Sequence, residues 1–314
     1  MQPFAYHIGQ RTVQREANSV PCADKLSTWV GPVVDFANGA DIIVLAHAGT
    51  DDGNHPLRVV ALSGPAPLVQ ARGEEGAITL GLPLAVLEHL PVNEMCGGIV
   101  INPATARRSR IAGIARQHDE GVGISCDVAF TNCRKYMTPT SSEGTATHIG
   151  PTGAITLLLS DAWVRDMIDA GETAFLVTST PTGVGDVSHR GGPPGFLRFD
   201  PAKNVLTWTE YLGDGMFVST GNLRQNANCA LIILDFTSGD ALRLDGTAAY
   251  TNIRADRKAR VDALLQASEP FPMQGRIQCH VRNAQRLAQF CWPRTRVATR
   301  QRITSEDETA VQHP

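Results

Sequence analysis

Ser188, His189 and Arg190 place a hydroxyl, an imidazole and a guanidinium side by side in the segment GDVSHRGGPPGFLRF (Gly185–Phe199). Gly191, Gly192 and Gly195 follow, and glycine lets a ligand approach the backbone closely. Arginine suits phosphate because its planar fork makes two parallel charge-assisted bonds. A second segment, YLGDGMFVSTGNLRQNANCAL (Tyr211–Leu231), carries Ser219, Thr220 and Asn222 at the start of a predicted short helix, NLRQNA. Helix N-termini attract anions through free N–H groups and the helix dipole. The same three residues also fit ordinary helix capping. The cationic cluster in the same half favours a phosphate site.

Other chemistry is poorly supported. The chain lacks a GxxxxGK[ST] loop, a GxSxG elbow, an HExxH and a GxGxxG after a strand. Its seven cysteines include no CxxC pair, and they read as reduced thiols of a cytoplasmic protein rather than a disulfide framework or a zinc site. Cys133 stands beside Arg134 and Lys135, a setting that lowers a thiol pKa, but a structural cysteine is the simpler reading. His47, His55, His89 and His118 show no ligand spacing and read as loop or surface residues, and Asp240 and Asp245 as turn and solvent-facing acids. A net charge of −3 offers no footprint for nucleic acid or an anionic membrane. The N-terminus does not read as a signal peptide, and the longest apolar runs fall far short of the ~20 residues that cross a bilayer.

The elements that must position these residues recur. VVDFANGADIIVLAHA (Val33–Ala48) parallels VRDMIDAGETAFLVTST (Val164–Thr180), each a short helix closed by a glycine, Gly39 or Gly171, and followed by an apolar strand. ALSGPAPLVQA (Ala61–Ala71) parallels SHRGGPPGFLRF. GGIVINPATARRSRIAGIAR (Gly97–Arg116) parallels CALIILDFTSGDALRLDGTAAY (Cys229–Tyr250), each a hairpin whose return strand ends at Gly113 or Gly246. The expected fold is mainly β with flanking helices, built as two tandem β-barrels. A first domain spans 1–137, a linker 138–153, a second domain 154–293 and a disordered tail 294–314.

DVSHRGGPPGF, GDGMFVSTGNLRQN and LIILDFTSGDALRLDGTA together resemble the pyridoxamine 5′-phosphate oxidase-like, FMN-binding split-barrel family, and most closely its large uncharacterised members. The likeness spans about residues 163–250. The first half is similar more weakly, through AFTNCRKYM (Ala129–Met137), where Arg134 stands in place of the family's proline. The resemblance implies a split barrel and an FMN-dependent oxidoreductase. Ser188, His189, Arg190, Ser219, Thr220 and Asn222 would contact the phosphate and ribityl chain, and Met216 and Phe217 would pack near the isoalloxazine. Removing Arg190 would then cost more flavin affinity than any single change in the first half. The first half offers Val60-Ala61-Leu62 opposite Ser188–Arg190, so it is read as degenerate, and the chain as its own pseudo-dimer, with a homodimer also open. The partners implied are a small-molecule substrate and a reduced nicotinamide or reductase donor. The rival readings are a non-catalytic flavin-binding or sensing protein, and a split barrel that uses the deazaflavin F420 or binds haem. No residue is marked as catalytic, and His189 is a weak candidate for proton transfer.

Overall fold

The structure is a computed structural model that describes residues 4–27, 31–49, 57–74, 77–90, 92–118, 121–254 and 270–297. The first half runs α1 (Ile8–Glu16), α2 (Val20–Ser27), α3 (Val33–Asn38), β1 (Ile42–Ala48), β2 (Leu57–Ser63), β3 (Gln70–Glu74), β4 (Ala77–Leu82), a 3₁₀ turn at Leu84–Glu88, β5 (Met95–Asn102), β6 (Arg107–His118) and β7 (Gly121–Thr131). Then come β8 (Thr140–Ser142), β9 (His148–Gly150) and β10 (Gly153–Leu157). The second half runs α4 (Ala162–Ala170), β11 (Thr173–Ser179), β12 (Gly185–Gly191), β13 (Leu197–Asp200), β14 (Val205–Tyr211), α5 (Val218–Leu223), β15 (Asn228–Leu234), β16 (Ala241–Asn252), β17 (Met273–Ala288) and β18 (Arg294–Arg296). The chain is mainly β with few helices.

One sheet has the order β3-β4-β7-β6-β5-β1-β2-β9, and the other β12-β11-β15-β16-β17-β14-β13, with β10 also paired to β17. With β9 set aside and the first sheet read from its other edge, both follow one order of seven antiparallel strands. Neither return strand ends at its glycine. Gly113 and Gly246 lie inside long strands, each at a register shift. A Cβ there would fall 2.0 Å from Ser125 O and 2.3 Å from His280 O, so the bulges need glycine. Each bulge is flanked by buried thiols: Cys96 and Cys126 both face Gly113, and Cys229 faces Gly246 with its sulfur 3.9 Å from that of Cys279. Gly39 and Gly171 do close their helices, but at negative φ and not as left-handed caps; at Gly171 the reason is close packing, since a Cβ there would lie 3.0 Å from the Ile233 side chain.

Three cores explain why β1 and β11 are buried throughout instead of alternating. Ile43 and Leu45 enter a first-half core with Val100, Ile111 and Ile124. Ala174 and Leu176 enter a second-half core with Leu206, Trp208 and Ile277. The opposite faces, Ile42 and Val44 against Phe175 and Val177, meet in a third core between the halves. At this contact backbone approaches backbone: a Cβ on Gly97 would lie 2.0 Å from Gly185 O, and one on Gly185 2.3 Å from Ala46 O.

Residues 138–153 are not a free spacer. β9 extends the first sheet beside β2, and β8 pairs with β18. Arg294, read from the sequence as the start of a tail, is buried, bonding Thr140 and pairing with Asp41 at 2.8 Å. The rest of that tail, from residue 298, lies outside the described residues. His47 is buried, not superficial, and Asp240 accepts from the Arg286 side chain and the Gln289 N–H. Asp245 faces a bidentate Arg243. His55 and the His118 side chain lie outside the described residues. Among those described, no helix is long and apolar enough to cross a membrane.

Candidate functional site

A groove runs between the halves. Its first-half wall comes from β5 to β7 and the residues just after β7; its second-half wall comes from β12, the end of β14, the loop 213–217 and α5. Period two places Ile111 of β6 in the first core and turns Arg108 and Arg110 to the other face, towards the second half. The same alternation divides the Ser188-His189-Arg190 trio. His189 shares a face with Val187 and meets the Phe175 ring edge-on at 6.3 Å, while Ser188 and Arg190 share a face with Asp186.

Arg110 and Asp186 form an ion pair at 2.9 Å, with side chains 9% and 8% exposed. Arg110 also donates to the Ser188 hydroxyl, and its guanidinium lies 5.8 Å from the Phe130 ring centroid. Asp186 accepts in addition from Ser219 at 2.8 Å and from Thr178 at 3.3 Å, and the Ser188 and Ser219 hydroxyls touch. Arg190 donates from Nε to Glu210 at 2.6 Å, and Trp208 Nε1 donates to the same carboxylate oxygen at 2.8 Å. Arg190 is thus held by a carboxylate that a buried indole fixes in turn. Arg108 contacts His189 Nδ1 at 2.9 Å and donates to the Lys135 carbonyl at 2.9 Å. Burial, and then the charges of Arg108 and Arg190, hold the His189 pKa well below its ordinary value. Burial lowers Arg108 to about 10, which leaves it cationic at neutral pH.

Of the residues read from sequence, Ser188, His189, Arg190, Met216, Phe217, Ser219 and Thr220 line the groove; Asn222 does not. The expected helix NLRQNA is instead α5, which starts earlier, at Val218, after Phe217 in the left-handed region (φ 53) and with no side-chain cap. Ser219 and Thr220 therefore lie within the helix and do not cap it. Asn222 points away from the groove, where Nδ2 donates to Thr178 at 3.0 Å and Oδ1 accepts from Gln10 and contacts His7 Nε2. It anchors α1, which crosses α5 so closely that a Cβ on Gly9 would lie 2.4 Å from Gly221 O. Met216 is buried with Phe130 and Val218, and Phe217 leans on the second core with its ring 6.1 Å from that of Tyr250. An Asn222→Ala substitution should therefore loosen α1 by about 1–3 kcal/mol, the cost of stranding buried partners, and leave flavin affinity within about 3-fold. Hydrogen exchange of the α1 amides, run beside a flavin titration, checks this; an affinity loss with α1 still protected would return Asn222 to the site.

The sequence reading missed Arg108, Arg110, Asp186 and Glu210. It also missed an aromatic group at the groove's mouth, where Tyr136, Tyr211 and Phe271 lie with ring centroids 5.2–5.8 Å apart. Cys133 is a half-buried lining residue and its sulfur accepts from the Lys135 N–H at 3.5 Å. Four polar atoms of the groove are buried without partners among the described residues: the donor Arg110 Nε, the ring nitrogen His189 Nε2, and the acceptors Asn132 Oδ1 and Gln274 Oε1. Buried polar groups are nearly always satisfied, so the groove suits a ligand that offers both acceptors and donors.

No protein-family model matches the chain, and no curated protein matches it. Among solved structures, HupZ of Group A Streptococcus is 15% identical with a TM-score of 0.29, over 40% of this chain and 90% of that one. A putative pyridoxamine 5′-phosphate oxidase from Lactobacillus delbrueckii is 19% identical with a TM-score of 0.25, over 36% and 83%. A Clostridium acetobutylicum protein related to general stress protein 26 of B. subtilis, of the pyridoxinephosphate oxidase family, is 12% identical with a TM-score of 0.28, over 43% and 92%.

Proposed function

We propose that the chain is a tandem split-barrel flavoprotein of the pyridoxamine 5′-phosphate oxidase-like kind, an FMN-dependent oxidoreductase acting on a small molecule. The observation that supports this reading is the groove between two sheets of one strand order, where Arg110 meets the Ser188 hydroxyl, Ser219 and Thr220 line the same wall, and Arg108 stands against His189. That donor set fits a phosphate, with the carboxylates of Asp186, Glu210 and Asp214 opposed to it. The unpartnered donors and acceptors fit a flavin, whose ring and ribityl chain carry carbonyl, N–H and hydroxyl groups. Bound FMN supplies hydride acceptance and return.

The chain's own residues bind and orient. Arg110, Ser188, Ser219 and Thr220 would hold the phosphate, and Lys135 stands at the rim. The second barrel would contribute β12 and α5, and the first β6 and β7, as one pseudo-dimer. The nearest carboxylates are tied: Glu210 by Arg190 and Trp208, Asp186 by Arg110 and Ser219. With those two so committed, and Asp214 accepting from the Met216 N–H and the Asn132 amide, the groove also suits a non-catalytic flavin carrier.

Purified chain should be yellow and release FMN on heating. In stopped flow, NADH, NADPH or a reductase should bleach the flavin band, and a substrate should restore it. Colourless protein that takes up no added FMN contradicts the assignment. Bound flavin that stays oxidised with every donor favours the carrier. Extraction from the native host separates FMN from F420 and haem.

A further inference from the structure

We infer that Arg108 fixes His189 as the Nε2–H tautomer, and that this N–H is a donor reserved for a ligand atom with a free lone pair. The inference rests on the flavin reading only for the ligand's identity. Arginine has five N–H donors and no acceptor. Its contact with His189 Nδ1 at 2.9 Å therefore requires a bare lone pair on Nδ1. The second Arg108 bond, to the Lys135 carbonyl, fixes the guanidinium so that it cannot turn away. The hydrogen bond at one ring nitrogen decides where the proton sits, here on Nε2.

That nitrogen is buried and has no partner among the described residues, yet His189 lines the groove. The charged groups that bear on the ring are Arg108 from β6 and Arg190 from its own strand, both cations; β11 contributes the apolar edge contact with Phe175. Among the described residues no carboxylate bears on the ring: Glu210 is taken by Arg190, and Asp214, also in the groove wall, acts on Arg108; burial disfavours an imidazolium further, so the ring stays neutral. His189 is then no proton shuttle. It selects an oxygen or ring nitrogen with a free lone pair, and it rejects a ligand that presents only an N–H or C–H at that point, because its own N–H would be left unmet. Arg108 is the positioning residue.

Full-length chain labelled with ¹⁵N-histidine tests this by long-range proton–nitrogen correlation, with His189 assigned by the signals missing in His189→Gln. The expected pattern is a protonated Nε2 and bare Nδ1, unchanged from about pH 5 to 8, the range over which an unperturbed histidine changes charge. In Arg108→Met, where nothing donates to Nδ1, the ring should lose its fixed tautomer. An Nδ1–H tautomer or an imidazolium at neutral pH in the native chain would overturn the inference. In FMN titrations His189→Gln, which keeps an N–H donor, should bind as the native chain does. His189→Leu should bind roughly 2- to 13-fold more weakly, the worth of one neutral hydrogen bond, and equal affinity would overturn the donor role. Native chain that takes up no FMN contradicts the flavin reading instead, and the spectrum still decides the tautomer.

Discussion

Arg110→Ala should destabilise the chain by about 3–5 kcal/mol, because it strands Asp186 in a buried site. Asp186 would keep only the Ser219 and Thr178 hydroxyls. Replacing both members, as Arg110→Leu with Asp186→Leu, should recover most of the loss, since a buried ion pair exchanged for apolar side chains is often neutral. Urea denaturation of the three proteins measures both effects. The double variant, folded, should still bind FMN more weakly by about 1.5–3 kcal/mol, the worth of a charge-assisted contact. Arg190→Ala should do less, because Glu210 takes the Arg190 Nε–H and the His189 carbonyl its Nη1, whereas Arg110, although paired with Asp186, keeps a buried Nε–H without a partner among the described residues. That order reverses the one expected from sequence. A double variant no more stable than Arg110→Ala, or an Arg190→Ala that loses more affinity, would show that the phosphate donors are misassigned.

Gly97→Val should separate the halves. Its first added atom would lie 2.0 Å from Gly185 O, and the obstacle is backbone from the other sheet, which no rotamer change can move. Overpacking usually costs about 1–3 kcal/mol, and this site belongs at or above the top of that range. Because the groove lies between the same two walls, flavin should be lost together with the contact. Limited proteolysis and flavin content, read on the same samples, test the coupling. A Gly97→Val chain that keeps native flavin content would mean that the ligand binds one half alone.

Much of the fold was legible because long apolar strands and hairpin turns are local signals. The pairing of Val60-Ala61-Leu62 with Ser188-His189-Arg190 survives in the register: Ser63 faces Ile42, and Gly191 faces Thr173, so counting back along each strand gives the same match. Gly113 and Gly246 were misread because a glycine within a strand looks like its end. β8 and β9 have three residues each, too few for any periodicity. α1 was unread because its main partner, α5, is remote in sequence. Arg108 and Arg110 had a signal: two cations at a spacing of two share one face of a strand, opposite Ile111. That they face a binding groove and not solvent depends on how the halves pack, which no local pattern carries. Asn222 looked like a ligand contact because an amide near hydroxyls fits a phosphate site as well as it fits an anchor for a distant helix.

The central claim is one flavin per chain, held between unequal halves. Counting along the paired strands, Arg243 of β16 stands where Arg110 stands on β6, but it is spent on Asp245 and the Leu57 carbonyl. β9 lies along Ala61, Leu62 and Ser63, the edge that would have to receive a second ligand. A phosphate carries close to two charges at neutral pH and cannot be buried there without donors. Quantitative cofactor extraction against protein concentration decides the matter. The account predicts a ratio near one FMN per chain; a ratio near two, or protein that retains no flavin when FMN is supplied in excess, would contradict it.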